Sequence, residues 1–184
     1  MGCPRHPELV EGQRIRPAIG QSPTALGVLY SPQVMNLELD WPRQKDFFAP
    51  DGSLRDIYVL GTNAEDWATV LSWLGSRCRA ECTQNGSPIP LPSRFDQVSR
   101  ESLLLTVWVG ETDLCCHFFV VDEIEFDFVP NQVDEARLRQ LLTFMGELGE
   151  LTGRTVIMTP ENWREAPLFK FTPGTSRVAW VGEE

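Results

Sequence analysis

Apolar and polar positions alternate over Met35–Trp41 (MNLELDW), which predicts a first short strand. Pro50-Asp51-Gly52 has the composition of a turn, and Arg55–Leu60 (RDIYVL) then reads as a strand. Thr62-Asn63-Ala64-Glu65 carries the residue types of a capping box. Trp67, Val70, Leu71 and Leu74 follow at i, i+3, i+4 and i+7, one apolar face of a helix that Gly75 ends. Arg77–Thr83 alternates again, with Cys78, Ala80 and Cys82 on one face. Asn85-Gly86 is a hairpin-turn dipeptide, but Pro88, Pro90 and Pro92 oppose a central strand, so 84–96 reads as an irregular surface crossing.

The most apolar run, Leu103–Val109, predicts a buried strand. Gly110–Asp113 turns it into Leu114–Val121, and Asp122-Glu123 turns that into Ile124–Val129, where Ile124, Phe126 and Phe128 alternate with Glu125 and Asp127. Three consecutive strands with tight links predict an antiparallel meander. A long helix over Val133–Thr152 follows, with Leu138, Leu141, Leu142, Met145 and Leu148 on one stripe, Asn131 as its cap and Gly153 at the left-handed end position. Arg154–Met158 is then a strand, Thr159-Pro160-Glu161 a single helical turn, and Leu168–Phe171 and Arg177–Val181 short final strands. The expected fold class is α+β: a mostly antiparallel sheet with a central three-strand meander and two main helices packed on it.

Residues 1–34 break this pattern. They hold Pro4, Pro7, Pro17, Pro23 and Pro32 but a single aromatic, Tyr30, and no sustained period, which predicts a poorly ordered arm before one domain at 35–184. Net charge divides along the same line. Of the formal −10, the arm holds three Arg against two Glu, +1, so residues 35–184 carry −11. That balance argues against an electrostatic grip on nucleic acid or an anionic membrane. No run approaches the length of a spanning helix, and five cysteines make an odd number for a disulfide framework, so a cytoplasmic setting is expected.

Three constellations could carry chemistry. Cys78, Cys82, Cys115, Cys116 and His117 include zinc-ligand types, but residues i and i+4 of a strand lie roughly 13 Å apart, so no metal and no cofactor is expected. Cys115 and His117 share a strand face, ~6.6 Å apart along the backbone. Their flanks Leu114, Phe118 and Phe119 are apolar, which raises a thiol pKa and predicts a core histidine instead of a nucleophile pair. Glu123, Glu125 and Asp127 share one face of one strand and could do acid–base work, although alternation with Ile124, Phe126 and Phe128 predicts a solvated face. With Asp122, Asp134 and Glu135, six acids fall between 122 and 135 with no base before Arg137, a stripe suited to a basic protein partner. Gly146 and Gly149 each cost the second helix about 1 kcal/mol relative to Ala, and close approach of that helix to the sheet is the reason expected for them. Trp73, Trp163 and Trp180 are the tryptophans least tied to the predicted core.

The runs CHFFVVDEIEFDFVP (116–130), RDIYVLGTNAEDW (55–67) and VIMTPEN (156–162) together resemble an uncharacterised family of small acidic bacterial proteins. The resemblance covers about 55–165 and implies a bacterial origin and an α+β fold, but no activity, cofactor or site residue. RHPELVEG (5–12) resembles a phrase found in translated dispersed repeats of GC-rich bacterial genomes. That implies a natural start downstream, with Met35 the candidate, set against the alternative of a genuine arm.

Two functional expectations come from different classes. The first is a non-enzymatic cytoplasmic protein-binding domain, in its sharpest form an immunity-type protein that meets a basic toxic nuclease with its acidic surface. The second is a small hydrolase using Cys115 and His117 or the Glu123, Glu125 and Asp127 carboxylates.

Overall fold

The computed structural model describes residues 35–95 and 103–182, all within the second of the two units into which the chain divides, Pro32–Glu184. The expected arm at 1–34 lies outside the described residues. Ten strands form one sheet: β1 (Asn36–Leu37), β2 (Arg55–Leu60), β3 (Arg79–Gln84), β4 (Ser87–Ile89), β5 (Leu103–Val109), β6 (Thr112–His117), β7 (Glu123–Phe128), β8 (Val156–Pro160), β9 (Phe169–Phe171) and β10 (Arg177–Trp180). Their order is β1-β10-β9-β8-β2-β7-β6-β5-β3-β4, with β2 and β7 at the middle. Every pairing is antiparallel except β1 with β10. Three α-helices complete the described chain: α1 (Trp41–Gln44), α2 (Ala64–Arg77) and α3 (Glu135–Thr152). The class is α+β.

One face of the sheet carries the helices. Ile57, Val59, Leu105, Val107, Leu114, Cys116, Ile124, Phe126 and Met158 are fully buried there, against Trp67, Leu71 and Leu74 of α2 and Leu138, Leu141, Leu142, Met145 and Leu148 of α3. Phe126 meets Phe144 of α3 edge-on, with ring centroids 5.4 Å apart. Gly149 allows α3 to lie directly on β9: a Cβ there would fall 2.1 Å from Cδ1 of Phe171. The close approach expected from the sequence is therefore present at this glycine.

Several local expectations are corrected. Met35–Trp41 is not one strand; pairing stops after Leu37, and Trp41 opens α1 with Pro42 in its first turn. The α2 cap is one residue later than expected: the Asn63 side chain accepts from the Asp66 N–H, and the Asp66 carboxylate accepts from the Asn63 N–H. The helix also runs through Gly75 to Arg77. Within the supposed irregular crossing, Asn85-Gly86 makes a hairpin and β4 pairs with β3; Pro88 is tolerated there because β4 is the sheet's edge, and Pro90 and Pro92 lie beyond it. Asp134, not Asn131, caps α3, its side chain accepting from the Arg137 N–H at 2.8 Å. Gly153 does take the left-handed end position, with φ 66°. Thr159-Pro160-Glu161 is no helical turn, since β8 continues through Pro160. Finally, β6 stops at His117, where Leu114–Val121 was expected. Phe118 instead turns inward onto Trp67, with ring centroids 4.9 Å apart, and Val120 and Val121 stay exposed.

Candidate functional site

The sheet's other face is polar at its centre. Glu123, Glu125 and Asp127 point there from β7, because Ile124, Phe126 and Phe128 take the helix side. Register supplies their neighbours. Asp127 stands opposite Cys115 of β6 and Asp56 of β2, and Glu125 opposite His117 and Tyr58. Four carboxylates, a phenol and an imidazole thus share the face of three adjacent strands.

The β8–β9 loop adds two groups. The Asn162 backbone N–H donates to Asp56 Oδ2 at 2.7 Å. Arg164 Nη2 pairs with Glu123 Oε1 at 2.7 Å, and its guanidinium lies over the Tyr58 ring, 4.8 Å from the centroid. The Tyr58 hydroxyl donates to Asp56 Oδ2 at 2.7 Å and stands 3.4 Å from Glu125 Oε1. Asn162 has φ 57°, which turns the loop sharply back over the face after Pro160.

Burial raises the pKa of Asp56, against the bonds from Asn162 and Tyr58 that favour its charged form. Glu123 is raised by burial too, opposed by Arg164. Glu125 is raised first by burial and then by the charges of Asp56 and Glu123. Burial and the Asp56 bond also raise the Tyr58 phenol. Among the described residues no ion pair joins Glu125 to a base.

His117 is not the core histidine that its sequence neighbours predict. His117 is half-buried on the polar face, its Nε2 3.0 Å from Asp127 Oδ2 and its ring stacked on exposed Phe119 with centroids 5.0 Å apart. Of the apolar flanks that suggested a core position, Leu114 and Phe118 belong to the opposite face, while Phe119 is exposed. The Asp127 bond is the main cause of a raised imidazole pKa, against a smaller effect of burial. We expect the His117 Cε1–H resonance to titrate above the ordinary 6.5, and Asp127→Asn to bring it back toward that value. A wild-type midpoint at or below 6.5, or one that ignores the substitution, would disprove the pair in solution.

The six acids of the expected stripe separate into groups. Glu125 and Asp127 sit half-buried at the centre of the polar face, beside Glu123, whose side chain is only 9% exposed and is not part of a solvated face. Asp122 is exposed in the turn before β7, where its carbonyl accepts from the Thr62 N–H. Asp134 and Glu135 belong to the helix layer instead, Asp134 as the α3 cap and Glu135 exposed, 3.6 Å from Arg139. Sequence reading missed Asp56, Tyr58 and Arg164. The alternation of RDIYVL does place Asp56 and Tyr58 on one face, but their pairing to β7 spans about seventy residues.

Cys115 lies beside Asp127 on the same face, and its thiol is pushed up by burial and by the charges of Asp127 and Asp113. No group of three or more His, Cys, Asp or Glu side chains among the described residues is placed to hold a metal ion, and no described helix is long and apolar enough to cross a membrane. Comparison with protein-family models, with curated proteins and with solved structures finds no match to this chain.

Proposed function

We propose that the protein is a binding module whose polar sheet face receives a basic protein segment, with the β5–β6–β7 meander and the two main helices α2 and α3 as its central scaffold. One observation carries this reading. Asp56, Glu123, Glu125 and Asp127 converge at the centre of one helix-free face, where, among the described residues, Arg164 and His117 are the bases paired with them. Carboxylates held together against their mutual repulsion favour any cation brought among them, and an arriving guanidinium or ammonium would be drawn to Glu125, which no described base joins in an ion pair. The net −10 strengthens this at longer range and makes association salt-dependent. In its sharpest form the partner is a basic toxic nuclease and the protein an immunity protein, a version that rests on charge character alone.

The hydrolase reading has less support. A nucleophilic cysteine needs its thiolate, and the surroundings of Cys115 disfavour it. The His117 nitrogen nearest an acid is engaged by Asp127. Glu125, with its raised pKa, remains the group such a reading would need as a general acid.

The test is the affinity of the full chain for a fluorescent nona-arginine peptide. Glu125→Lys with Asp127→Lys should weaken binding at least tenfold at 50 mM salt. Glu65→Lys with Glu135→Lys changes net charge equally on the helix layer and should cost no more than about threefold. Equal losses in the two doubles would reduce the effect to net charge and overturn the assignment of the face.

A further inference from the structure

A groove of about 490 Å³ opens beside the β8–β9 loop, away from the acidic residues of β7. Phe47, Pro160, Trp163, Ala166, Leu168 and Val181 form its apolar lining, and Glu165 is the one charged residue among the described residues that line it. Both the size and the apolar character fit a small organic ligand. Trp163 and Val181 leave apolar surface exposed at its mouth, 57% and 43% respectively.

Beneath the wall lies an unused donor. Trp180 is nine-tenths buried, and its Nε1 has no hydrogen-bond partner among the described residues. Its ring packs edge-on against Phe47 of the groove and against Phe169, each at 5.0 Å between centroids. The indole edge that bears Nε1 lies against Gly182, also part of the lining: a Cβ at 182 would stand 2.6 Å from Cζ2 and 3.1 Å from Cε2, the carbon bonded to Nε1. Leaving a buried indole N–H without an acceptor costs about 1–3 kcal/mol. Val181 and Gly182 hold the wall with two N–H groups that both donate to the single Leu168 carbonyl, at 2.9 and 3.2 Å. Trp180 does not itself line the groove, so its Nε1 meets an occupant only where the Val181–Gly182 segment gives way outward.

We infer that this groove binds a small apolar or aromatic molecule that bears a carbonyl-type acceptor and no negative charge, with Trp180 Nε1–H as the donor to that acceptor. Two features of the groove and the chain select this class. The orphan donor calls for an acceptor, and Glu165 together with the chain's net −10 disfavours an anion. The site is independent of the basic-partner reading and stands if that reading falls.

The probe is N-benzylacetamide, followed by ¹H–¹⁵N spectra of the full chain, with Trp180 identified by the indole signal lost in Trp180→Phe. The Trp180 indole N–H should move saturably at millimolar probe, while toluene, which lacks an acceptor, leaves it in place. Phenylacetate should bind at least fivefold more weakly than the amide. Trp180→Phe should weaken the amide about fivefold, the fold-change of one net hydrogen bond, and leave toluene unchanged. Ala166→Leu, which fills the groove without touching the indole, should abolish binding and covers the case in which Trp180→Phe fails to fold. No saturable shift, or the same shift with toluene, would overturn the proposal.

Discussion

Alanine at position 149 should destabilise the domain by about 2 kcal/mol, although it replaces the poorer helix former. On propensity alone the substitution gains about 1 kcal/mol. Packing opposes it, because the new Cβ would lie 2.1 Å from Cδ1 and 2.3 Å from Cε1 of Phe171, a ring with no exposed surface. The aromatic cannot rotate away: Val156 and Val178 flank it on the paired strands, both fully buried. Either α3 lifts from β9 or the ring leaves its rotamer, and overpacking of this kind costs about 1–3 kcal/mol beyond the propensity gain. Thermal denaturation should show a midpoint about 4–8 °C lower, on the scale of a domain of this size. Gly146→Ala is the matched control. Its Cβ would meet the Cε and Sδ of Met35 at 2.4 and 2.8 Å, the far end of a flexible, half-buried side chain that can move aside. That variant should keep or slightly raise the midpoint. Equal behaviour of the two alanines would mean that Gly149 is not the point at which helix and sheet meet.

The contrast between these glycines also shows how far the chain can be read without its fold. That α3 holds two glycines on or near its apolar stripe is visible in MGELGELTG, and so is the inference of close approach. Which of the two touches an immovable group depends on β9 lying beneath the helix; the sequence predicts a short strand at Leu168–Phe171, but not which helix residue it will meet. Strands whose pattern is self-sufficient were legible to the residue: β2 and β5 have the limits their apolar runs predict. Segments in which apolar residues continue after pairing ends were not. Phe118–Val121 reads as strand, yet Phe118 packs on Trp67 and Phe95 while its neighbours face solvent.

The polar face was half legible for the same reason. The alternation of β7 and of β2 assigns Glu123, Glu125, Asp127, Asp56 and Tyr58 to one side each, from the period of two alone. It also assigns His117 to the side of Cys115 and away from Phe118, so the apolar neighbours in sequence were the wrong guide to that histidine's surroundings. What alternation cannot supply is register. Tyr58 meets Glu125 because β2 and β7 pair across an intervening helix and four strands, and Arg164 arrives from a loop after Pro160 that composition suggested was a helical turn. Local pattern thus fixes which side a residue faces, whereas the identity of its neighbours is settled by contacts distant in sequence.

The same crowding makes the free protein most stable in mild acid, and removing one charge from the polar face should stabilise it near neutrality. Asp56, Glu123 and Glu125 all have folded pKa values raised above their ordinary 3.8 and 4.5, with burial the first cause in each case. A carboxyl that holds its proton more tightly when folded gives stability that is complete below the ordinary value and is lost as pH rises through the folded value. His117 has the same sign, through its bond to Asp127, in a window that opens at 6.5. Asp51 runs the other way. Its exposed carboxylate is held well below 3.8 by Arg55 and Ser53, so its contribution fades only as pH falls below 3.8. The thermal midpoint should therefore be highest in mild acid and fall steadily toward pH 8. Glu125→Gln keeps the shape and the acceptor facing Tyr58 while deleting the charge that meets Asp56 and Glu123. At pH 7.5 it should raise stability by about 1 kcal/mol, roughly 2–4 °C in midpoint, with a smaller gain at pH 4.5. An ordinary structural carboxylate would show the reverse, losing stability on amidation near neutrality. A gain for Glu125→Gln that comes with weaker binding of the basic peptide marks a charge kept at the expense of the fold for something that docks there. A midpoint that rises from pH 5 to pH 8, or falls in the Gln variant, would place the four carboxylates among the groups that hold the domain together.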